Sequence, residues 1–148
     1  MADNSIRERL ILAALDTLRP VAQALGASVH RSPAVAITRE QSPALVVFAE
    51  SDVITERANG RVTRELTLRL VALARESATL TPEALADQLI AAAHVALMGD
   101  QNLGGLALRI HELDCDFDIE DADALAVALH GRYQITYRTQ QLDITQAG

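Results

Sequence analysis

"VITERANGRVTRELTLRLVAL", residues 53–73, is the stretch whose reading decides the fold. Asn59-Gly60 supplies two adjacent positions that tolerate positive φ, which is what a two-residue type I′ hairpin turn demands. Beyond the turn, Leu66, Leu68 and Leu70 alternate with Thr67 and Arg69, the period-two pattern of a strand with one wet face. The tip, residues 55–63, is too polar to be buried. An antiparallel hairpin therefore sits in the middle of the chain.

Toward the N-terminus, "ALVVFAE" at 44–50 is a continuous apolar run rich in β-branched and aromatic side chains, expected inside the sheet with both faces covered. Residues 28–31 and 34–38 lean toward β and are interrupted by Pro33, which suits an edge strand or an irregular crossing. Before them, Asn4 is placed to cap a helix in which Ile6, Leu10, Ala13, Ala14 and Leu15 recur at three- and four-residue intervals. Pro20 is expected to kink or end that helix, with 21–25 adding a turn before Gly26 stops it.

Toward the C-terminus, Thr81 caps a second helix, Pro82 occupies its first position and Gly99 closes it. Leu85, Leu89, Ala92, Ala93, Ala96 and Leu97 form the expected buried stripe. The last third reads as a long hairpin. Leu106, Leu108 and Ile110 are apolar on even positions, whereas Leu113, Cys115, Phe117 and Ile119 are apolar on odd ones, so a β-bulge is expected at His111-Glu112. The return strand alternates Leu125, Val127, Leu129, Tyr133, Ile135 and Tyr137 with polar or small residues. The element order is α-β-β-β-α-β-β in one domain over 1–148, with 143–148 as a loose tail.

Composition bounds the chemistry. With 148 residues, 49% hydrophobic and 22% charged, the chain fits one globular domain that can bury roughly 70% of its unfolded surface. The single cysteine excludes an internal disulfide. No window approaches the ~18 apolar residues of a membrane span, so a soluble protein is expected. The net charge is −7, and all 13 basic residues are arginine. Without lysine there is no Walker A loop, Schiff-base lysine or Ser-Lys pair. The arginines are scattered singly, which argues against tight nucleic-acid binding.

"DCDFDIEDAD", 114–123, packs six carboxylates into ten positions. With Cys115 and Phe117 pointing inward, Asp114, Asp116 and Asp118 point outward together, about 7 Å apart. An EF-hand fails because Ile119 stands where the loop needs Gly and Leu125 where it needs Glu. A glycosidase-like pair needs unequal environments that an open strand face does not supply. The stripe reads as a solvated surface that repels other anions. Zinc ligation by His111, Cys115 and His130 is disfavoured because the strand phase separates Cys115 from His130. Cys115 reads as a packed thiol, and His30 and His94, without acidic or cysteine companions at ligand spacing, as structural. "GDQNLGGL", 99–106, lies where a helix ends rather than begins, so it is a C-cap and turn, not a phosphate cradle. No nucleophile, cofactor or metal site is identifiable.

The succession of helix, short strand, "ALVVFAE", hairpin, helix, "LMGDQNLGGLALRI" and a final hairpin closing on "YQITYRTQQLD" resembles the lambda-like tail terminator and minor tail proteins of long-tailed bacteriophages. The resemblance covers about residues 6–143. It implies an α+β subunit with two helices on one face of a mainly antiparallel, mixed sheet of four to five strands. It further implies a non-enzymatic assembly protein, six copies of which form a ring that caps the tail tube and joins it to the head-side connector. The implied partners are the protein itself, the tail tube protein and the connector, with DNA passing through but not tightly held, in the virion tail and, during assembly, the host cytoplasm. The hairpin tip, Thr55, Glu56, Arg57, Ala58, Asn59, Gly60 and Arg61, is the expected protruding arm. Asp114, Asp116 and Asp118 are assigned to the lumen, where an inner wall must not grip phosphates. The alternatives are another head-tail joining protein with the same subunit fold, a small tautomerase-like or hydrolase-like α/β enzyme, and a ligand-sensing domain that dimerises through its sheet.

Overall fold

The computed structural model describes residues 3–33, 36–119 and 126–148, the side chains of residues 39 and 119 excepted. Its elements run α1 Ile6–Ala24, β1 Ser28–Arg31, a short 3-10 turn Arg39–Gln41, β2 Ala44–Ala58, β3 Arg61–Arg75, α2 Pro82–Gly99, β4 Arg109–Ile119 and β5 Ala126–Gln140. The five strands form one mixed sheet in the order β1-β2-β3-β5-β4. Only the β1–β2 pair is parallel. This is the α+β architecture expected, with the C-terminal hairpin forming one side of the sheet. The expected positions 34 and 35, and the return-strand position Leu125, lie outside the described residues.

Ser5, not Asn4, caps α1: its side chain accepts from the Glu8 N–H at 3.1 Å. Ser5 and Glu8 thereby sit at the spacing of a capping box. The helix passes through Pro20 and continues to Ala24, because Leu18 and Ala22, on either side of the proline, are both buried against the sheet. A single lost N–H bond in the last turn is the smaller term. Gly26, at φ +70°, then reverses the chain. Helix α2 begins and ends as its caps dictate, with the Thr81 side chain accepting from the Ala84 N–H. Its most buried residues are Ala86, Leu89, Ala93 and Leu97.

Both helices pack on one face of the sheet. Leu10, Leu18, Leu45, Leu66, Leu70, Leu89, Tyr133 and Ile135 make a continuous core there. Among the described residues, the opposite face has only a small apolar cluster, Val46, Val71 and Ala128 with Ile37, Phe48 and Leu73. So "ALVVFAE" is covered on both faces only over 44–47, and Ala49 and Glu50 are exposed.

Asn59 and Gly60, at φ +55° and +75°, make the two-residue turn between β2 and β3. Two register shifts interrupt β2, between Ala49 and Ser51 and between Ile54 and Glu56. The bulge in β4 falls between Glu112 and Asp114, leaving Leu113 unpaired, one residue later than expected. The C-terminal residues, expected to be loose, fold back. The Ile6 N–H donates to the Ile144 carbonyl, the Gln140 N–H to the Gln146 carbonyl, and Ala147 bridges to Thr139.

Candidate functional site

The helix-free face of the sheet carries a band of charge whose parts come from four strands. On β3 and β5, Arg69 and Arg132 are direct cross-strand partners. Two cations side by side repel, so the arrangement requires anions between and beside them. Glu50 supplies the first: its carboxylate accepts from Arg69 Nε at 2.6 Å and lies 3.7 Å from Arg132 Nη1. Its place at the first β2 bulge sets it in line with the two guanidinium groups. Asp114 supplies the second, taking Arg132 in a two-pronged grip, Nε to Oδ1 at 2.9 Å and Nη2 to Oδ2 at 2.6 Å. Arg132 lowers the pKa of Asp114, and that same hydrogen-bonded pair raises the pKa of Arg132. His130 continues the band, with Nδ1 3.2 Å from Arg69 Nη1 and Nε2 3.9 Å from Asp118 Oδ2.

The strand register places Asp114, Asp116 and Asp118 opposite Arg132, His130 and Ala128, all on the helix-free face. Cys115 and Phe117 pair with Gly131 and Leu129 on the helix side. The alternation is that expected from sequence, but the burial is not. Cys115 is exposed and Phe117 is 77% exposed. The reason is that β4 is the edge strand: α2 packs mainly on β3 and β5 and leaves Phe117 uncovered. The aspartates also differ from a uniform acidic stripe: Asp114 is neutralised by Arg132, and Asp116 makes no ion pair among the described residues.

A groove of about 240 Å³ lies between α2 and β4, floored by Gly131 and bordered by Asp87, His94, Glu112, Cys115 and Tyr133. His94 has companions after all. Its Nδ1 is 2.7 Å from the Tyr133 hydroxyl and 3.3 Å from Glu112 Oε2. No sequence spacing could reveal them, since they belong to three different elements. The chemistry of the groove opposes nucleophilic catalysis: partial burial, then Glu112, Asp116, Asp114 and Asp87, push the Cys115 thiol up and keep it protonated. Burial likewise raises the Tyr133 phenol, with Glu112 adding to it. Among the described residues, no three His, Cys, Asp or Glu side chains are grouped to hold a metal ion. His30 bonds to Ser28 Oγ at 2.8 Å.

At the other end of the sheet, residues 55–61 are exposed, whereas Val62 is buried. The tip is braced and not a free arm: β3 pairs with β5 all the way to Arg61–Gln140, and the Gln141 N–H donates to the Gly60 carbonyl. Arg57 and Arg61 make no ion pair among the described residues.

No family model matches the chain, and no curated protein does. A solved structure does. The fold is similar to that of a chain from the virion of a native gene transfer agent particle, at 13% identity and a TM-score of 0.53, over 83% of this chain and 90% of that one. That likeness is one of fold. Glu50, Arg69 and Arg132, missed from sequence, and His130, weighed there only as a zinc ligand, stand on the polar phase of β3 and β5 and at a bulge, where alternation alone marks them as exposed but not as partners.

Proposed function

We propose that the chain is a structural protein of a tailed phage or phage-like virion, and specifically a tail terminator: a ring-forming subunit that caps the tail tube and joins it to the head-side connector. The observation that carries the reading is the shared fold with a gene transfer agent virion chain over nearly the full length of both. The sequence resemblance over residues 6–143 points the same way. Three features of the molecule support it. The helix-free face is charged, pre-ordered by the Glu50–Arg69–Arg132–Asp114 band, and largely without an internal cover. Both the braced hairpin tip and the β4 edge stand free for neighbours. The net charge of −7 suits a channel wall past which DNA moves without being gripped. The protein acts without catalysis, on itself, the tube protein and the connector, in the virion tail after assembly in the host cytoplasm.

The test is to incubate the purified protein with isolated tail tubes and image tube ends by negative-stain electron microscopy, with native mass spectrometry of the free protein. Six-fold rings at one end of the tube are expected. Binding to portal complexes but not to tube ends would transfer the chain to the second reading, another head-tail joining protein of the same subunit fold.

A further inference from the structure

We propose that the uncovered edge of β4 is the docking surface for the arginine-bearing β2–β3 hairpin tip of a second copy of the chain, a head-to-tail contact that deepens, and rests on, the ring reading above. The edge is open in two senses. Among the described residues no strand pairs with β4 on its outer side, where the Ile110 N–H is taken by Gln101 Oε1, and on its helix side Phe117 stands 77% exposed beside exposed Cys115. The edge suits guanidinium groups on both sides: the Phe117 ring, on the helix side, offers a plane for one to stack on, and Asp116 and Asp118, on the helix-free side, offer carboxylates to another's N–H groups.

The same aspartates decide against the simplest partner. Two β4 edges meeting face to face would set carboxylate rows against each other, with the Leu113 bulge spoiling the register. A cationic partner is needed, and the chain carries one. The hairpin tip and the adjoining end of β5 carry Arg57 on the helix side and Arg61 and Arg138 on the helix-free side against the single carboxylate of Glu56, and Arg57 and Arg61 make no ion pair among the described residues. One copy cannot use both surfaces on itself. Asp118 lies level, through Ala128, with Leu73, twelve residues along β3 from Arg61, so roughly 40 Å separates the two corners. Surplus of opposite sign at opposite corners of one rigid sheet favours a contact between different patches of successive copies, the arrangement that propagates and closes as a ring. This assigns Asp116 and Asp118 to a subunit contact instead of the lumen.

The exposed Cys115 is the chain's one cysteine and provides the probe. Ala58→Cys at the tip, treated with a short thiol cross-linker across a concentration series and on tail tubes, is expected to give covalent dimers and higher species. Neither the unmodified chain nor Ala58→Cys/Cys115→Ser should do so. In parallel, Arg57→Glu/Arg61→Glu and Asp116→Arg/Asp118→Arg should each weaken self-association at least ten-fold, and mixing the two variants should restore it. Cross-linking no greater than in the unmodified chain, or equal without Cys115, overturns the contact. Rings on tube ends without the tip-to-edge cross-link would sink the contact and leave the ring reading standing. Cross-linked dimers that never form rings or cap tubes would do the reverse.

Discussion

The Arg132 guanidinium and the Asp114 carboxylate meet in a two-pronged grip at the first paired position after the β4 bulge, with Nη2 and Oδ2 2.6 Å apart. The bulge and the ion pair are one feature. Were Leu113 paired in regular alternation, it would take the place opposite Arg132, Asp114 would fall on the helix side of β4, and Arg132 would face Arg69 with only Glu50 between them.

This pair gives the fold an acid dependence whose sign follows from the lowered pKa of Asp114. A depressed carboxylate contributes stability above its unfolded pKa and loses it as the pH falls through the folded value. Asp114→Asn is therefore expected to flatten the loss of stability below about pH 4, with little change at neutral pH beyond the loss of a part-exposed pair. Urea unfolding at a series of pH values measures it; an unchanged acid slope would show the grip to be energetically idle.

A buried polar contact ties the helix layer to the sheet. Asp52 accepts from Arg7 Nη1 at 2.8 Å and from the Tyr137 hydroxyl, and its side chain is only 7% exposed. Tyr137→Phe removes a donor from a carboxylate whose other oxygen has no donor among the described residues. A loss of about 1–3 kcal/mol is expected from leaving a buried acceptor less satisfied, read from equilibrium unfolding.

Gly131 lets α2 approach β5. A Cβ there would stand 3.2 Å from Tyr133 Cε2 and 3.4 Å from Ile90 Cδ1. The Tyr133 ring is held by its bond to His94 and cannot swing away freely. Gly131→Val should cost about 1–3 kcal/mol through overpacking, and should also shift the His94 ring resonances in NMR spectra.

Phe117 and Leu129 are cross-strand partners with opposite fates, one 77% and one 5% exposed. Leu129→Ala should lower stability by about 2–5 kcal/mol. Phe117→Ser should change the free monomer's stability by no more than about 0.5 kcal/mol. A large effect of the serine variant on dilute monomer would place that ring in the core after all.

The exposed Cys115 should be modified by maleimide in the folded protein, but slowly. Burial of part of the thiol and the surrounding carboxylates raise its pKa, so less thiolate is present at neutral pH than on a free cysteine. The rate should rise as the pH is increased past the range where an ordinary thiol has levelled off. Glu112→Gln should bring the profile down in pH.

Much of this molecule was legible from short-range pattern. Asn59-Gly60 made its turn because two positive-φ positions side by side leave few alternatives, and Thr81-Pro82 opened a helix because cap chemistry is local. The opposed faces of the aspartates and of Cys115 and Phe117 followed from the two-residue period of a strand, which holds whatever lies above or below it. Burial could not be read the same way. Whether Phe117 is covered depends on how far α2 extends across the sheet, and whether α1 survives Pro20 depends on what Leu18 and Ala22 pack against. The pairings of Glu50 with Arg69, Asp114 with Arg132 and His94 with Glu112 bring together residues that are 19, 18 and 18 positions apart on different elements. Sequence alone determined the strands, caps and turn, because these are set by neighbours along the chain. Tertiary structure decided which polar groups meet and which apolar ones stay uncovered, because strand order and helix placement are settled only when the whole core closes.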